Sequence, residues 1–169
     1  MNNNSIQQTL IVFKPDAVQR GVVGEILERF ERVGLKIVAT KMASPDRDHY
    51  DTHYEGIGSL RTRRGEKAYD LALNLMMQGP VIAMVLEGVE AVELVRKLVG
   101  PTEPKSAQPG TIRGDFSHMS FGYADEAAKG IPNLIHASGD SAEAEQEIAH
   151  WFGETELYSY ETTHERFTR

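Results

Sequence analysis

Residues 9–43 read TLIVFKPDAVQRGVVGEILERFERVGLKIVATKMA, and the hydrophobic periodicity changes twice within them. Thr9–Phe13 (TLIVF) is a run of β-branched and aromatic residues too short for a helix, and it predicts a buried strand. Pro15 ends it. Val22, Val23, Ile26, Leu27, Phe30 and Val33 then recur at the spacing of one helical face, with Glu25, Glu28, Arg29 and Glu31 between them. Gly34 closes that helix. Leu35–Ala43 (LKIVATKMA) is a second strand, partly alternating.

The alternation continues beyond this unit. Asp46–Tyr54 and Glu66–Met77 carry helical patterns, split by Gly56, Gly58, Gly65 and an arginine-rich patch, and Gly79-Pro80 stops the second. Val81–Leu86 (VIAMVL) predicts a third strand, and Val89–Val99 a helix through Val92, Val95 and Leu98. Residues 100–132 scatter Gly and Pro through a stretch too long for an idle connection in a compact domain. Leu134-Ile135 form a short apolar strand, Ser138–Ser141 hold capping residues, and Ala144–Phe152 is a last helix. The order β-α-β-α-β-α-β has too few strands for a doubly wound sheet. It predicts an α/β (α+β) fold: a ferredoxin-like split βαβ sandwich, its four-stranded antiparallel sheet covered by helices. One domain over residues 1–169 is expected, with 1–8 and 161–169 as terminal extensions.

Of the 169 residues 40% are hydrophobic and 25% charged, enough apolar material for a core. Eighteen Lys+Arg against 25 Asp+Glu leave a net charge of −7, which argues against sequence-blind nucleic-acid binding. With no cysteine, disulfides, thiolate metal sites and cysteine nucleophiles drop out. MNNNSIQQ lacks the basic flank and apolar run of a signal peptide, so Asn3-Asn4-Ser5 reads as a chance sequon. No segment approaches the ~18 apolar residues of a membrane span. A soluble, cytoplasmic protein without a membrane or nucleic-acid partner is expected.

The familiar phosphate loops GxxxxGK[ST] and GxGxxG are missing, as are HExxH and GxSxG. Polar residues gather instead where strands end. Lys14 follows the first strand in FKPDAV, and Arg96 sits on the helix after the third. Thr102, Lys105, Thr111, Arg113 and Asp115 lie in GPTEPKSAQPGTIRGDFS; Asn133, His136, Ser138 and Glu147 lie in and after NLIHAS. Cations, hydroxyls and one histidine suit a polyanion, at positions where open sheets place ligands.

TLIVFKPDAV, GEILERFERVGLKIVATKM, GPVIAMVLEG, VGPTEPKSAQPGTIRGDFS, NLIHAS and EIAHWF, in this order, resemble the nucleoside diphosphate kinase family over about Thr9 to Tyr160. The resemblance implies that His136 takes the γ-phosphoryl group of a nucleoside triphosphate and gives it to a nucleoside diphosphate. It implies that Lys14, Arg96, Thr102 and Arg113 bind phosphates, that Asn133 contacts the sugar and its neighbouring phosphate, that Tyr54 lies near the histidine, and that Glu147 holds it. It further implies Mg2+ carried in by the nucleotide, with no protein side chain assigned to the metal, and a homo-oligomer, hexamer or tetramer. The chemistry agrees with this. Phosphoryl transfer asks chiefly for positioning and charge neutralisation, and imidazole is a nucleophile largely neutral near pH 7. Glu147, eleven residues past His136, can reach one ring nitrogen and leave the other aimed at phosphorus.

Four features depart from the family pattern. Gly139 stands where the family usually has Asp, with Asp140 or Ser141 left to cap the last helix. Pro132 replaces the usual arginine before Asn133. Ser117–Ile131 is about ten residues longer than usual and predicts an extra hairpin or helical turn beside the site. Tyr54 to Pro80 is about six longer, and no residue there matches the family's base-stacking phenylalanine; an ungapped count back from Gly79-Pro80 lands on Ala68, and Tyr69 beside it is the expected substitute. These departures keep a competing reading open, a catalytically weak nucleotide-binding regulatory protein on the same scaffold. A structural oligomer without a ligand is a third. His49, His53, His118, His150 and His164 lack the motif around His136 and are expected at the surface or in caps. Arg61, Arg63 and Arg64 are expected in a solvated loop or subunit contact, and Arg113-Gly114-Asp115 is not read as an adhesion signal. Trp151 and Phe152 are expected in a core or an interface, and with Phe116, Phe121 and Tyr123 would leave a monomer with exposed apolar patches.

Overall fold

The computed structural model describes residues 5–168; the two asparagines of the sequon lie outside them. Strands β1 (Ile6–Phe13), β2 (Lys36–Ala43), β3 (Val81–Val89) and β4 (Ile135–Ala137) form one sheet in the order β2-β3-β1-β4, every neighbouring pair antiparallel. β3 thus separates β1 from β2, and β1 separates β3 from β4. This is the predicted split βαβ sandwich.

TLIVF is continuously apolar because the sheet is covered on both faces. Ile11 and Phe13 pack with Ile26, Phe30, Leu86, Val95 and Val99, from α2 (Val23–Arg32), β3 and α6 (Ala91–Val99). Leu10 and Val12 face the other way, toward Tyr50, Tyr69, Leu73, Ile148 and Trp151, from α3 (Arg47–Asp51), α5 (Glu66–Met76) and α9 (Ser141–Trp151). Trp151 and Phe152 are each 4% exposed, so they fill this second core and do not contribute to an exposed patch. β1 also begins at Ile6, ahead of its apolar run. Its polar start is held by Gln8 Nε2, which donates to Glu87 at 2.9 Å, and by Gln7 Oε1, which accepts from the Val92 amide at 3.3 Å.

The long connections are more helical than their composition predicts. After β1, Pro15 opens the short helix α1 (Pro15–Gln19). α3 starts on the Asp46 cap, whose carboxylate accepts from the His49 amide at 2.8 Å, and runs directly into a π-helical turn, Thr52–Ile57. Ser59 and Gly65, at φ of +49° and +84°, flank the next short helix, α4 (Leu60–Arg64), ahead of α5. Residues 100–132 contain a 3-10 turn (Pro104–Ser106), α7 (Ile112–Phe116) and α8 (Phe121–Glu126). The extra length there therefore folds as a helical turn and not as a hairpin. Beyond α9, a 3-10 turn (Glu154–Glu156) leads to a tail along β2, where Tyr160 donates to the Ile37 carbonyl at 2.7 Å, and the described residues end in α10 (Glu165–Thr168).

Candidate active site

KPDAV and the segment before β4 are joined by backbone. The Lys14 amide donates to the Leu134 carbonyl at 2.8 Å, and the Asp16 carboxylate accepts from the Leu134 amide at 2.9 Å. Leu134, buried and not glycine, sits at φ +73°, so this double tie holds a strained turn one residue before the strand that carries His136. The tie extends through side chains. Lys14 Nζ donates to Asn133 Oδ1 at 2.7 Å, and Asn133 Nδ2 donates to the Thr102 carbonyl at 2.8 Å.

Arg113 is buried on α7 and spends its guanidinium on three backbone carbonyls: Gly100 at 2.9 Å, Asn133 at 3.2 Å and Ile135 at 2.6 Å. Thr111 caps α7 by accepting from the Gly114 amide at 3.1 Å. A Cβ on Gly114 would lie 2.2 Å from the Gln108 carbonyl oxygen, so the Pro109–Asp115 turn admits only glycine there. Burial lowers Arg113 to about 10, helped by Arg96 beside it; burial, then Arg113, lowers Lys14 to about 8. Cations so crowded favour an anionic ligand. Arg96 and Thr102 are exposed at the rim.

Alternation along β4 sends Ile135 and Ala137 into the first core and His136 to the opposite face, toward α9 and the π-helical turn. There His136 Nε2 meets Glu147 Oε1 at 2.8 Å. Glu147 is 1% exposed, and its Oε2 accepts from Ser138 Oγ at 2.6 Å. With Nε2–H donating to the carboxylate, Nδ1 of His136 is left with its lone pair. Tyr54 brings its ring centroid to 6.2 Å from that of His136, and burial raises its phenol well above the usual range. Asp140 supplies the helix cap in place of residue 139, accepting from the Glu143 amide at 2.8 Å, while Glu143 accepts from the Gly139 amide at 2.9 Å.

These groups line one cleft of about 560 Å3, which gathers Lys14, Tyr54, Arg96, Thr102, Arg113, Asn133, His136 and Glu147. Tyr69 is not among its walls. Its ring lies in the second core under the Arg61 guanidinium, at 4.1 Å, and its hydroxyl donates to Asp51. The count itself lands on Ala68, which does line the cleft together with Leu71; Tyr69, one residue on and so about 100° further round α5, turns to the core instead. The aromatic wall comes from the longer segment: Phe121 on α8, with Arg64 stacked over its ring at 4.7 Å and Leu60 also in the lining. His53 is a second correction. Far from the surface, it is 1% exposed, with its ring 4.5 Å from that of His136 and its Nδ1 accepting from Trp151 Nε1 at 3.2 Å. Nothing local in the sequence marks it, because burial depends on a tryptophan far along the chain. His53, His136 and Glu147 place one donor atom each within 4.8 Å of one another, but these atoms are engaged in the hydrogen bonds just described.

A sequence model of the family described as nucleoside diphosphate kinase matches residues 7–157. A nucleoside diphosphate kinase of Borreliella burgdorferi is 46% identical over 155 residues, covering 92% of both chains. One of Pyrococcus furiosus is 44% identical over 157 residues, covering 93% of this chain and 89% of its own. Among solved structures, a transition-state mimic of the Borrelia burgdorferi enzyme with bound vanadate and ADP superposes with a TM-score of 0.93 at 45% identity, covering 96% of each chain. With a fold, a cleft and a sequence match over most of the chain that agree, the chain belongs to the nucleoside diphosphate kinase family, enzymes of nucleotide phosphotransfer.

Proposed function

We propose that the protein moves the γ-phosphoryl group of a nucleoside triphosphate to a nucleoside diphosphate in two half-reactions through a phosphate on His136. Nδ1 of His136 attacks the γ-phosphorus as the bond to the β,γ-bridging oxygen breaks, and the diphosphate leaves with that oxygen's electron pair. A second diphosphate then attacks the same phosphorus, and the imidazole leaves. The observation that carries this reading is the buried hydrogen bond between Glu147 and His136 Nε2, at 2.8 Å, in a cleft furnished with cations. Positive charge grows on the ring as nitrogen bonds phosphorus, and the carboxylate at the far nitrogen stabilises it. Ser138 is not a competing nucleophile, because its hydroxyl is fully buried and donates to Glu147.

Lys14, Arg96 and Arg113 neutralise the phosphate oxygens, with Thr102 and Tyr54 as hydroxyl donors and Asn133 at the sugar. Lys14 and Asn133 are already paired, so the incoming phosphate joins a pre-set constellation instead of ordering loose side chains. The nucleobase lies against Phe121 and Leu60, a wall that reads no base-specific pattern. The two carboxylates that α9 sends to the cleft, Glu143 and Glu147, are both engaged by protein donors, which fits Mg2+ carried by the nucleotide's phosphates. The ion, when bound, supplies further charge neutralisation. The working protein is a homo-oligomer, a hexamer or tetramer as the family resemblance implies, and Met42 on the edge strand β2, 61% exposed, and Tyr123, 58% exposed, are apolar surface for it.

Incubation with Mg2+ and γ-labelled ATP should leave an acid-labile, base-stable phosphate on the wild-type protein and none on His136→Ala, which still binds ADP. Label on His136→Ala in equal yield would remove His136 from the reaction.

A further inference from the structure

We propose that Trp151 is a tautomer lock: its indole N–H holds His53 in the one neutral form that leaves Glu147 Oε1 to His136 alone. This rests on the phosphohistidine reading above and adds two positioning residues to it.

Trp151 Nε1 can only donate a hydrogen bond. Its acceptor, at 3.2 Å, is His53 Nδ1, so that nitrogen carries a lone pair and the ring proton sits on Nε2. The same Nδ1 lies 3.7 Å from Glu147 Oε1, the oxygen that accepts from His136 Nε2 at 2.8 Å. Two imidazoles thus face one carboxylate oxygen. If the His53 proton moved to Nδ1, a small rotation would aim an N–H at that oxygen and draw off the charge that His136 needs. The other oxygen offers no relief, because Ser138 occupies it.

The surroundings keep His53 uncharged as well. Glu147, His150 and Trp151 face it from α9, His136 from β4, Tyr54 and His49 from the π-helical turn and α3, and Lys14 from the turn after β1. Burial is the largest influence on its ring, and the neighbouring His136, His150, His49 and Lys14 act in the same direction, holding it well below the ordinary histidine value. Burial alone, however, does not choose between the two neutral tautomers. Only a fixed donor at one nitrogen does so, and the indole is that donor.

Nitrogen-15 NMR of histidine-labelled wild-type protein tests the lock directly and needs no variant to fold. At pH 7 His53 should show a protonated Nε2 and a bare Nδ1; protonation at Nδ1, or at both nitrogens, overturns the proposal. Trp151→Phe keeps an aromatic ring but removes the donor. His53 should then populate the Nδ1–H form, and single-turnover phosphorylation of His136 should slow about tenfold, the share of one charge-assisted hydrogen bond, with the ADP dissociation constant unchanged within about twofold. Adding His53→Phe removes the competing N–H, so the double variant should recover most of the lost rate. A purely structural role for Trp151 predicts the opposite, because a second core substitution makes packing worse. An unchanged rate in Trp151→Phe, or a double variant slower than the single, contradicts the lock. Failure of the phosphohistidine reading would appear separately, as wild-type protein that takes no label on His136, and the His53 spectrum would still be decisive for the tautomer.

Discussion

Glu147 gives both of its oxygens to the protein, Oε1 to His136 and Oε2 to Ser138, and no part of a nucleotide is needed to satisfy it. Glu147→Gln can keep both hydrogen bonds, since the Ser138 hydroxyl can turn and accept, but it loses the charge. Phosphorylation of His136 should slow on the order of tenfold or more, while the ADP dissociation constant stays put; single-turnover kinetics and calorimetry check the two halves. A rate unchanged by Glu147→Gln would make the carboxylate a structural group. Lys14 gives a pH signature of the opposite kind. Its folded value, about 8, lies below the ordinary 10.5, so the resting protein loses this charge as pH rises through about 8. ADP affinity should fall over that interval and should lose the inflection in Lys14→Met. The linkage to folding has the same origin: between about 8 and 10.5 the unfolded chain binds the proton that the folded chain has released, so this lysine's contribution to stability rises with pH there. His136 and Glu147 were legible as a pair because motif and spacing both mark them. His53 was not, because its role depends on Trp151, which no local pattern connects to it.

The elements show why some of the architecture could be read in advance. β1 and β3 are covered on both faces, so their apolar runs are dense enough to register as strands, and α2 and α6 each bury one face and show it in their spacing. The stretch from α3 to α5 resists such reading. A π-helical turn and two left-handed or extended breaks, at Ser59 and Gly65, change the phase of the pattern three times. Tyr69 was misplaced for a different reason: it is the aromatic beside Ala68, and adjacent residues on α5 face different ways. The contrast is testable: Phe121→Ala should weaken nucleotide binding about fivefold or more, the scale of one lost aromatic contact, whereas Tyr69→Phe should leave it unchanged, as equilibrium dialysis with ADP would show. Equal losses in the two would return the base to α5. The start of α9 was foreseen more closely, since Asp140 does carry the cap that Gly139 cannot. Asp140→Ala should cost about 1 kcal/mol in denaturant unfolding and slow phosphorylation through a looser Glu147. Wild-type stability in that variant would mean that Glu143 and Gly139 suffice to hold the helix start.

At the scale of the molecule, two questions separate the enzyme from its competitor on the same scaffold. The first is assembly. With Trp151 and Phe152 inside the core, the argument for an oligomer rests on the exposed Met42, Met77 and Tyr123. Light scattering at micromolar concentration should give a multiple of 18.8 kDa, and the mass of a single chain would refute it. The second is whether the phosphate moves on. A regulatory protein could take a phosphate on His136 and keep it; a kinase cannot. The most direct measurement is therefore a chase: label the protein with γ-labelled ATP and Mg2+, free it of nucleotide, and add unlabelled GDP. Label should leave His136 and appear as GTP within the time of mixing, in proportion to the phosphoprotein present. Label that stays on the protein, or is released only as inorganic phosphate, would contradict the transfer.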